Sequence, residues 1–393
     1  MSSEEWKKFK FADILSVPLK NGLTKPTKVR GMGYKMVNMG ELFANSIIGN
    51  IDMARVPMTE SEIENFLLES YDLLFARQSL TIEGAGKCSI FKGNDEPTTF
   101  EGHLIRARVD KEIAVPSYLY YYFNSIIGIN QIKSIVSVTA AAGIRSSDLG
   151  KLEILLPPLP TQCRIAEILS ALDDKIELNR QINTTLEAIA QAIFKEWFVD
   201  FNYPGGTGEL VKSEMGMIPK GWRVASLTSE LNVVYGHNLP TSKLTEHGYP
   251  VFGGNGIIGF HGKYLYDEPQ VIIACRGAAS GKVNQTVPKS FVTNNSLIFE
   301  IPITSTISFP FLKYFCLNTD FCSFVSGSAQ PQLTIENLKQ AKLLVPEENI
   351  VAKFSHIVSL TEKMMLENNT QSKVIASTRD ALLPNLLSGI IIL

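Results

Sequence analysis

From Ile165 onward, one residue type returns at alternating steps of four and three: Ile165, Leu169, Leu172, Ile176, Asn179, Asn183, Leu186, Ala190, Ile193 and Trp197. Apolar side chains repeating at that average spacing for about five heptads predict a long helix with a single seam. A second, weaker seam passes through Phe354, Val358, Thr361, Met365, Asn368, Ser372, Ile375, Arg379, Leu382 and Leu386. The two are copies, because residues 132–198 align without a gap on 321–387 at a fixed shift of 189, placing Ile144 on Leu333, Pro157 on Pro346 and Asn179 on Asn368. Matching seams predict that the two helices pack on each other.

The helix is expected to start after Pro160 with Thr161 as its N-cap, and Thr161 to Phe198 would span ~57 Å at 1.5 Å per residue. Asn179 and Asn368 share one seam position, where buried amides fix register or else face a wider, polar part of the interface. In the second copy Pro384 is expected to break the helix in its last turns, with Gly389 as the stop.

Upstream of each helix the texture changes. Runs such as "QVIIACR", "SLIFEIP", "KLEILLP" and "AKLLVP" read as strands, "ESEIENFLLES" and "PSYLYYYFNSIIG" as short helices, and the Gly and Asn cluster "VFGGNGIIGFHG" as loop. The echo continues here with insertions: "YDLLFARQS" around Arg77 returns as "QVIIACRGAAS" around Arg276. A period near 190 residues is far longer than the ~20–50 of solenoid and propeller repeats, so a whole domain and its connector are duplicated. The expected layout is an α+β globule over 1–157, a first long helix over 158–201, a Gly- and Pro-rich linker over 202–221, a second globule over 222–345 and a second long helix over 346–393.

Composition narrows the function. With 45% hydrophobic and 19% charged residues in 393, this is ordinary globular material, and no apolar run nears the ~18 residues of a membrane span; a cytoplasmic protein is expected. Five cysteines without a C-x-x-C pair and scattered histidines have no zinc-ligand spacing, so buried free thiols are expected. The net charge of −2 argues weakly against nucleic acid, but "KNGLTKPTKVRGMGYK" from Lys20 to Lys35 carries five basic residues and no acid. Such a loop can follow a phosphate backbone, and a solvated surface loop fits it equally.

Enzymatic motifs fail one by one. Gly254, Gly256 and Gly259 satisfy G-x-G-x-x-G, but no helical start follows. "GAASGKV" and "EGAGKC" lack both the first glycine of a P-loop and the Ser or Thr that would ligate magnesium. By elimination the chain reads as a binding and organising subunit without catalytic or metal-ligating residues of its own.

The junction "LEILLPPLPTQCRIAEILSALDDKIELNRQINTTLEAIAQAIFKEWFVDF", the tail "IASTRDALLPNLLSGI" and the segment "YPVFGGNGIIGFHGKYLYDEPQVIIACRGAASGKV" together resemble the specificity subunits of type I restriction-modification systems. The second copy departs in one place, since "VPEENIVAKFSHIV" lacks the glutamine that Gln162 supplies in the first. The resemblance implies two target recognition domains separated by an antiparallel coiled coil with pseudo-twofold symmetry. Each domain would read one half of an asymmetric, bipartite double-stranded DNA target, with the helices setting the spacer. It also implies two methyltransferase subunits carrying S-adenosylmethionine, which would modify one adenine per strand, and motor-nuclease subunits using ATP and magnesium. No cofactor would sit on this chain. A specificity subunit of a related bifunctional restriction system, a pure assembly scaffold and a self-contained enzyme are the competing readings.

Base readout favours Arg or Lys on guanine and Asn or Gln on adenine, presented from loops. Candidates in matched loops are Arg77, Gln78, Lys87, Arg145 and Ser146 in the first copy and Arg276, Lys282, Gln330 and Gln332 in the second, and Lys243 and Asn255 are further candidates in the second. Lys25, Lys28 and Arg30 are expected to be phosphate contacts, while ion-paired strand ends and turn caps are the structural alternative for each arginine and glutamine.

Overall fold

Strands in the same order build the main sheet of both copies. In the first the order is Leu15–Asn21, Leu104–Val109, Leu73–Ala76, Cys88–Phe91 and Ile47–Ile48; in the second it is Asn232–Tyr235, Ser296–Glu300, Val271–Ala274 and Val283–Gln285. All neighbours are antiparallel except the short Ile47–Ile48 edge. Leu73–Ala76 and Val271–Ala274 are buried at every position because both of their faces are covered, which is why they read as continuous apolar runs rather than alternating ones. A smaller sheet is also repeated: Tyr34–Val37 and Tyr249–Gly253 each pair with one antiparallel and one parallel neighbour.

This computed structural model describes residues 6–138, 141–327 and 330–391. Its two units comprise residues up to Asn179 together with those from Thr370, and Arg180–Asn369. In unit 1 the helix Pro116–Asn124 is buried along most of its length, and Phe123 meets Phe11 and Phe75 edge-on at 4.9 and 5.0 Å. In unit 2 the helix Phe309–Leu317 supplies Phe311 and Tyr314 to an aromatic cluster around Phe194, Phe198 and Phe354. The segment "VFGGNGIIGFHG" is a hairpin rather than a loop. Tyr249–Gly253 pairs with Gly256–His261, and the chain reverses at Gly254–Asn255 with Gly256 at φ +112°. The turn residues that dominate its composition are needed only at the reversal.

The long helices span Leu159–Phe198 and Glu348–Leu387, 40 residues each. Within each unit they run antiparallel. Asn179 Nδ2 donates to Gln371 Oε1 at 2.9 Å and to Ser372 Oγ at 3.1 Å in unit 1, where Arg379 also pairs with Asp173. In unit 2 Asn183 Nδ2 donates to Asn369 Oδ1 at 2.9 Å, and Asn368 Nδ2 donates to Asn183 Oδ1 at 2.8 Å. Shifted by one repeat, Asn179 becomes Asn368 and Asn183 becomes Ser372, so the two amide contacts are images of each other. Ile165, Leu169, Asn179, Ala190, Trp197, Phe354, Val358 and Leu386 are buried; Leu172, Ile176, Asn183, Leu186, Ile193, Thr361, Met365, Asn368, Ser372, Ile375, Arg379 and Leu382 are half-buried.

Three local expectations change. The first helix begins at Leu159, so Thr161 is not its cap. Pro160 lies in the first turn, where the N–H it lacks would be unsatisfied anyway. The second helix runs through Pro384 to Leu387, because Leu386 and Leu387 are anchored in the unit 1 core and their burial outweighs one lost backbone bond; Gly389, at φ +73°, follows its end. All five cysteines are free, but Cys163 and Cys322 are exposed. Burial pushes the Cys88, Cys275 and Cys316 thiols above their ordinary range, so iodoacetamide at pH 8 is expected to label Cys163 and Cys322 and spare the three buried ones, as peptide mass spectrometry would show.

Gln162 ties the first helix to its globule. Fully buried, it accepts from the Val115 N–H at 2.9 Å and donates to the Pro157 carbonyl at 2.8 Å. The equivalent Val351 is simply buried among apolar neighbours in unit 2. Gln162→Met keeps the bulk but removes the buried hydrogen bond to the Pro157 carbonyl and the partner of the Val115 N–H, so it is expected to cost about 1–3 kcal/mol in urea denaturation, while Val351→Met changes no hydrogen bond.

Candidate nucleic-acid interface

In unit 2 the central strand Val271–Ala274 ends at Cys275 and Arg276, and the chain then turns through Gly277 at φ +74°. Arg276 bridges antiparallel to Gln332. The Gly277 N–H donates to the Pro331 carbonyl at 3.0 Å, Ser280 Oγ donates to the same carbonyl at 2.9 Å, and the Leu333 N–H donates to Cys275 O at 3.0 Å. Arg276, Gln330 and Gln332 are all exposed on these two strapped-together segments. From the far side of the glycine turn, Lys282 Nζ donates to Asn255 Oδ1 at 2.5 Å, and Asn284 Nδ2 holds the Gly254 carbonyl at 3.2 Å. A Cβ on Gly281 would lie 2.9 Å from the Cys322 nitrogen, so glycine alone permits this close approach. The fold thus gathers Arg276, Lys282, Asn255, Gln330 and Gln332 at one end of the sheet. Lys243 is exposed in a short 3₁₀ turn whose carbonyl faces His261, and no described contact joins it to that cluster.

Unit 1 repeats the plan with different side chains. Leu73–Ala76 ends at Arg77, Gln78 and Ser79; Gln78 pairs with Gly143 and Ser79 with Ala142, and the Ile144 N–H donates to Arg77 O at 2.9 Å. Exposed Arg145 follows, and Ser146 Oγ donates to Asn21 Oδ1 at 2.9 Å. Of the matched third loops, Thr139, Ala140, Ser328 and Ala329 lie outside the described residues. The structure adds His103, which the sequence reading missed. Its carbonyl accepts from the Arg77 N–H at 2.8 Å, and its Nδ1 lies 3.1 Å from Gln78 Oε1. The partner is 25 residues from Gln78 in sequence, and only the strand pairing brings the two together.

The basic loop is largely satisfied from within. Lys25 is ion-paired with Glu62 at 2.8 Å, and hydrogen bonds from Lys25 and Thr59 hold that carboxyl below its ordinary range. Lys35 is buried against Glu96, at 3.4 Å, and Asn50, and Arg30 reaches Asn38 Oδ1 at 3.3 Å. Lys28 is exposed and has no partner among the described residues. Lys87 donates to the Phe43 carbonyl at 2.8 Å over that residue's ring. Free positive charge is therefore sparser than the string of lysines implied, and among the candidate cations of unit 1 Lys28 and Arg145 are the ones exposed with no described side-chain partner.

Gly254, Gly256 and Gly259 belong to the hairpin, with no helix after them to receive a pyrophosphate. Among the described residues no group of three His, Cys, Asp or Glu could hold a metal ion, and no helix is long and apolar enough to cross a membrane.

Comparison with known proteins finds the sequence pattern of the type I restriction modification DNA specificity domain twice, over residues 3–188 and 219–374. The chain is 28% identical over 318 residues to the type I restriction enzyme MjaIX specificity subunit of Methanocaldococcus jannaschii, covering 74% of this chain and 72% of that one. It is 31% identical over 189 residues to the EcoKI specificity subunit of Escherichia coli K12, covering 47% and 40%. The crystal structure of a type I restriction-modification S subunit from M. genitalium has the same fold, with a TM-score of 0.57 at 18% identity over 98% of this chain and 97% of that one.

Proposed function

The chain belongs to the type I restriction-modification DNA specificity family, and from that premise we propose that each of its two target recognition domains reads one half of a bipartite DNA sequence. One observation carries the reading: in both units the arginine that ends the central strand is strapped by backbone hydrogen bonds to a second segment bearing exposed amide or cationic side chains. Arginine matches the O6 and N7 of guanine and glutamine the N6 and N7 of adenine, so a paired Arg–Gln edge is suited to the major groove. Arg276, Gln330, Gln332, Asn255 and Lys282 would read one half-site; Arg77, Gln78, Arg145 and Ser146 would read the other, with Lys28 on phosphate. Because the two sets differ, the target is asymmetric.

In this reading the paired helices set the unread spacer and dock two methyltransferase subunits, so that one adenine on each strand is modified. The chain is non-catalytic; S-adenosylmethionine belongs to those partners, and ATP and magnesium to motor-nuclease subunits. Mapping methylated adenines in cells with and without the gene is expected to return a bipartite motif with a fixed gap, and a continuous palindrome would overturn the two-reader arrangement. Arg276→Ala is expected to lose about 1–3 kcal/mol of discrimination at one base pair, measured by competition between target and mismatched duplexes in the assembled complex. A uniform loss on all sequences, with a shallower salt dependence, would make Arg276 a phosphate contact instead.

A further inference from the structure

Between Ser79 and Gly84 of unit 1 the chain does something that neither folding nor the hydrogen-bonding edge requires. Leu80 is 100% exposed and Ile82 46% exposed, two bare aliphatic side chains on one small loop. The loop is nevertheless braced. The Thr81 N–H donates to Ser79 Oγ at 3.2 Å, the Gly84 N–H donates to Thr81 Oγ1 at 3.2 Å, and the Ala85 N–H donates to Ile82 O at 3.3 Å. Its root is anchored on one side by the Ser79–Ala142 pairing and on the other by Lys87 on Phe43. A leucine presented to water on a fixed support gains nothing until something apolar covers it.

What covers it is indicated by its neighbours. Arg77 and Gln78 lie three and two residues before Leu80, Gly143 pairs with Gln78, and Arg145 follows Gly143 by two residues. Glu83, the loop's one acid, lines a hollow shared with Lys87 and Lys133. An aliphatic tip set among cationic and amide groups suits the stacked bases of a duplex, whose outer surface is anionic and whose base steps are apolar. We propose that Leu80, supported by Ile82, is a wedge that enters a base step of the half-site read by unit 1 and partly unstacks it. The matching turn in unit 2, Gly277–Ala279, offers only glycine and alanine, so no such distortion is assigned to the other half-site.

The proposal rests on the DNA-reading function above, and its test separates the two. The full chain, assembled with its methyltransferase subunits, is bound to duplexes carrying 2-aminopurine at successive positions of each half-site other than the methylated adenine. Wild type is expected to brighten one step in the unit 1 half-site and none in the other. Leu80→Ala is expected to abolish that signal and weaken binding about tenfold to a hundredfold, the loss from leaving one buried leucine unmade, while Leu80→Met retains both. Full exposure means neither substitution touches the core, and an unchanged melting temperature would verify that. Wild-type binding that is sequence-specific with no unstacked step, or a signal unaffected by Leu80→Ala, would overturn the wedge alone. Binding without half-site preference would instead overturn the reading on which it rests.

Discussion

Phe354→Ala is expected to remove about 3–5 kcal/mol from the stability of unit 2. The ring is fully buried and lies between 5.1 and 6.2 Å from those of Phe194, Trp197, Phe198 and Tyr314. Phe194, Trp197 and Phe198 come from the first long helix, Tyr314 from the globule, and Phe354 from the second helix. Truncation therefore opens a void where three elements meet, with no flexible side chain among them to fill it. Two of the chain's tryptophans, Trp197 and Trp222, lie in unit 2 and Trp6 lies in unit 1, so fluorescence-detected guanidinium unfolding mainly follows the affected unit. A midpoint unchanged from wild type would mean that the cluster is not the mechanical centre of unit 2.

Arg379→Ala is expected to cost about 3 kcal/mol in unit 1, through a different mechanism. Its guanidinium pairs with Asp173, whose side chain is 9% exposed, and also reaches the neighbouring Asp380. Removing the arginine leaves a buried carboxylate whose remaining hydrogen bond among the described residues comes from the Tyr121 hydroxyl, which donates to it at 2.7 Å. Because the penalty comes from the stranded charge, Arg379→Ala combined with Asp173→Asn is expected to recover most of it. Hydrogen exchange over 370–387 would report the change locally, and equal losses in the single and double variants would sink the stranded-charge account. Lysine is not an equivalent replacement, since it lacks the fork that engages both aspartates.

The same position illustrates how a seam is read from sequence. An arginine at a core-facing heptad site looks like a weakness of the second copy, and its shifted counterpart is Ala190. In the structure it is half-buried and paired with Asp173, another residue of the partner helix. The asparagines behave likewise: their shared seam position was visible, but that Asn179 meets Ser372 and Asn368 meets Asn183 followed only from antiparallel packing.

For the interface the division is sharper. Arg77 and Arg276 were recognisable because an apolar strand followed by a cation and glycine is a local pattern that recurs in both copies. That Arg276 lies beside Gln332, 56 residues later, was not local at all. Nor was the neutralisation of Lys25 by Glu62, or the withdrawal of Lys35 into a pocket with Asn50 and Glu96. A lysine in a string counts as one positive charge; whether it is available to phosphate depends on which carboxylate the fold brings within about 4 Å.

By itself, then, the sequence determined the duplication, the two long helices with their seams, the buried central strands and the family, all of which follow from residue order along the chain. Tertiary structure alone decided where the first helix starts and that the second runs on through Pro384, that a glycine-rich string is a hairpin, which cations remain exposed, and that an aliphatic tip stands bare among them. The reason is physical. Periodicity is a property of the backbone's own geometry, whereas burial, pairing and exposure are relations between residues that only folding brings together.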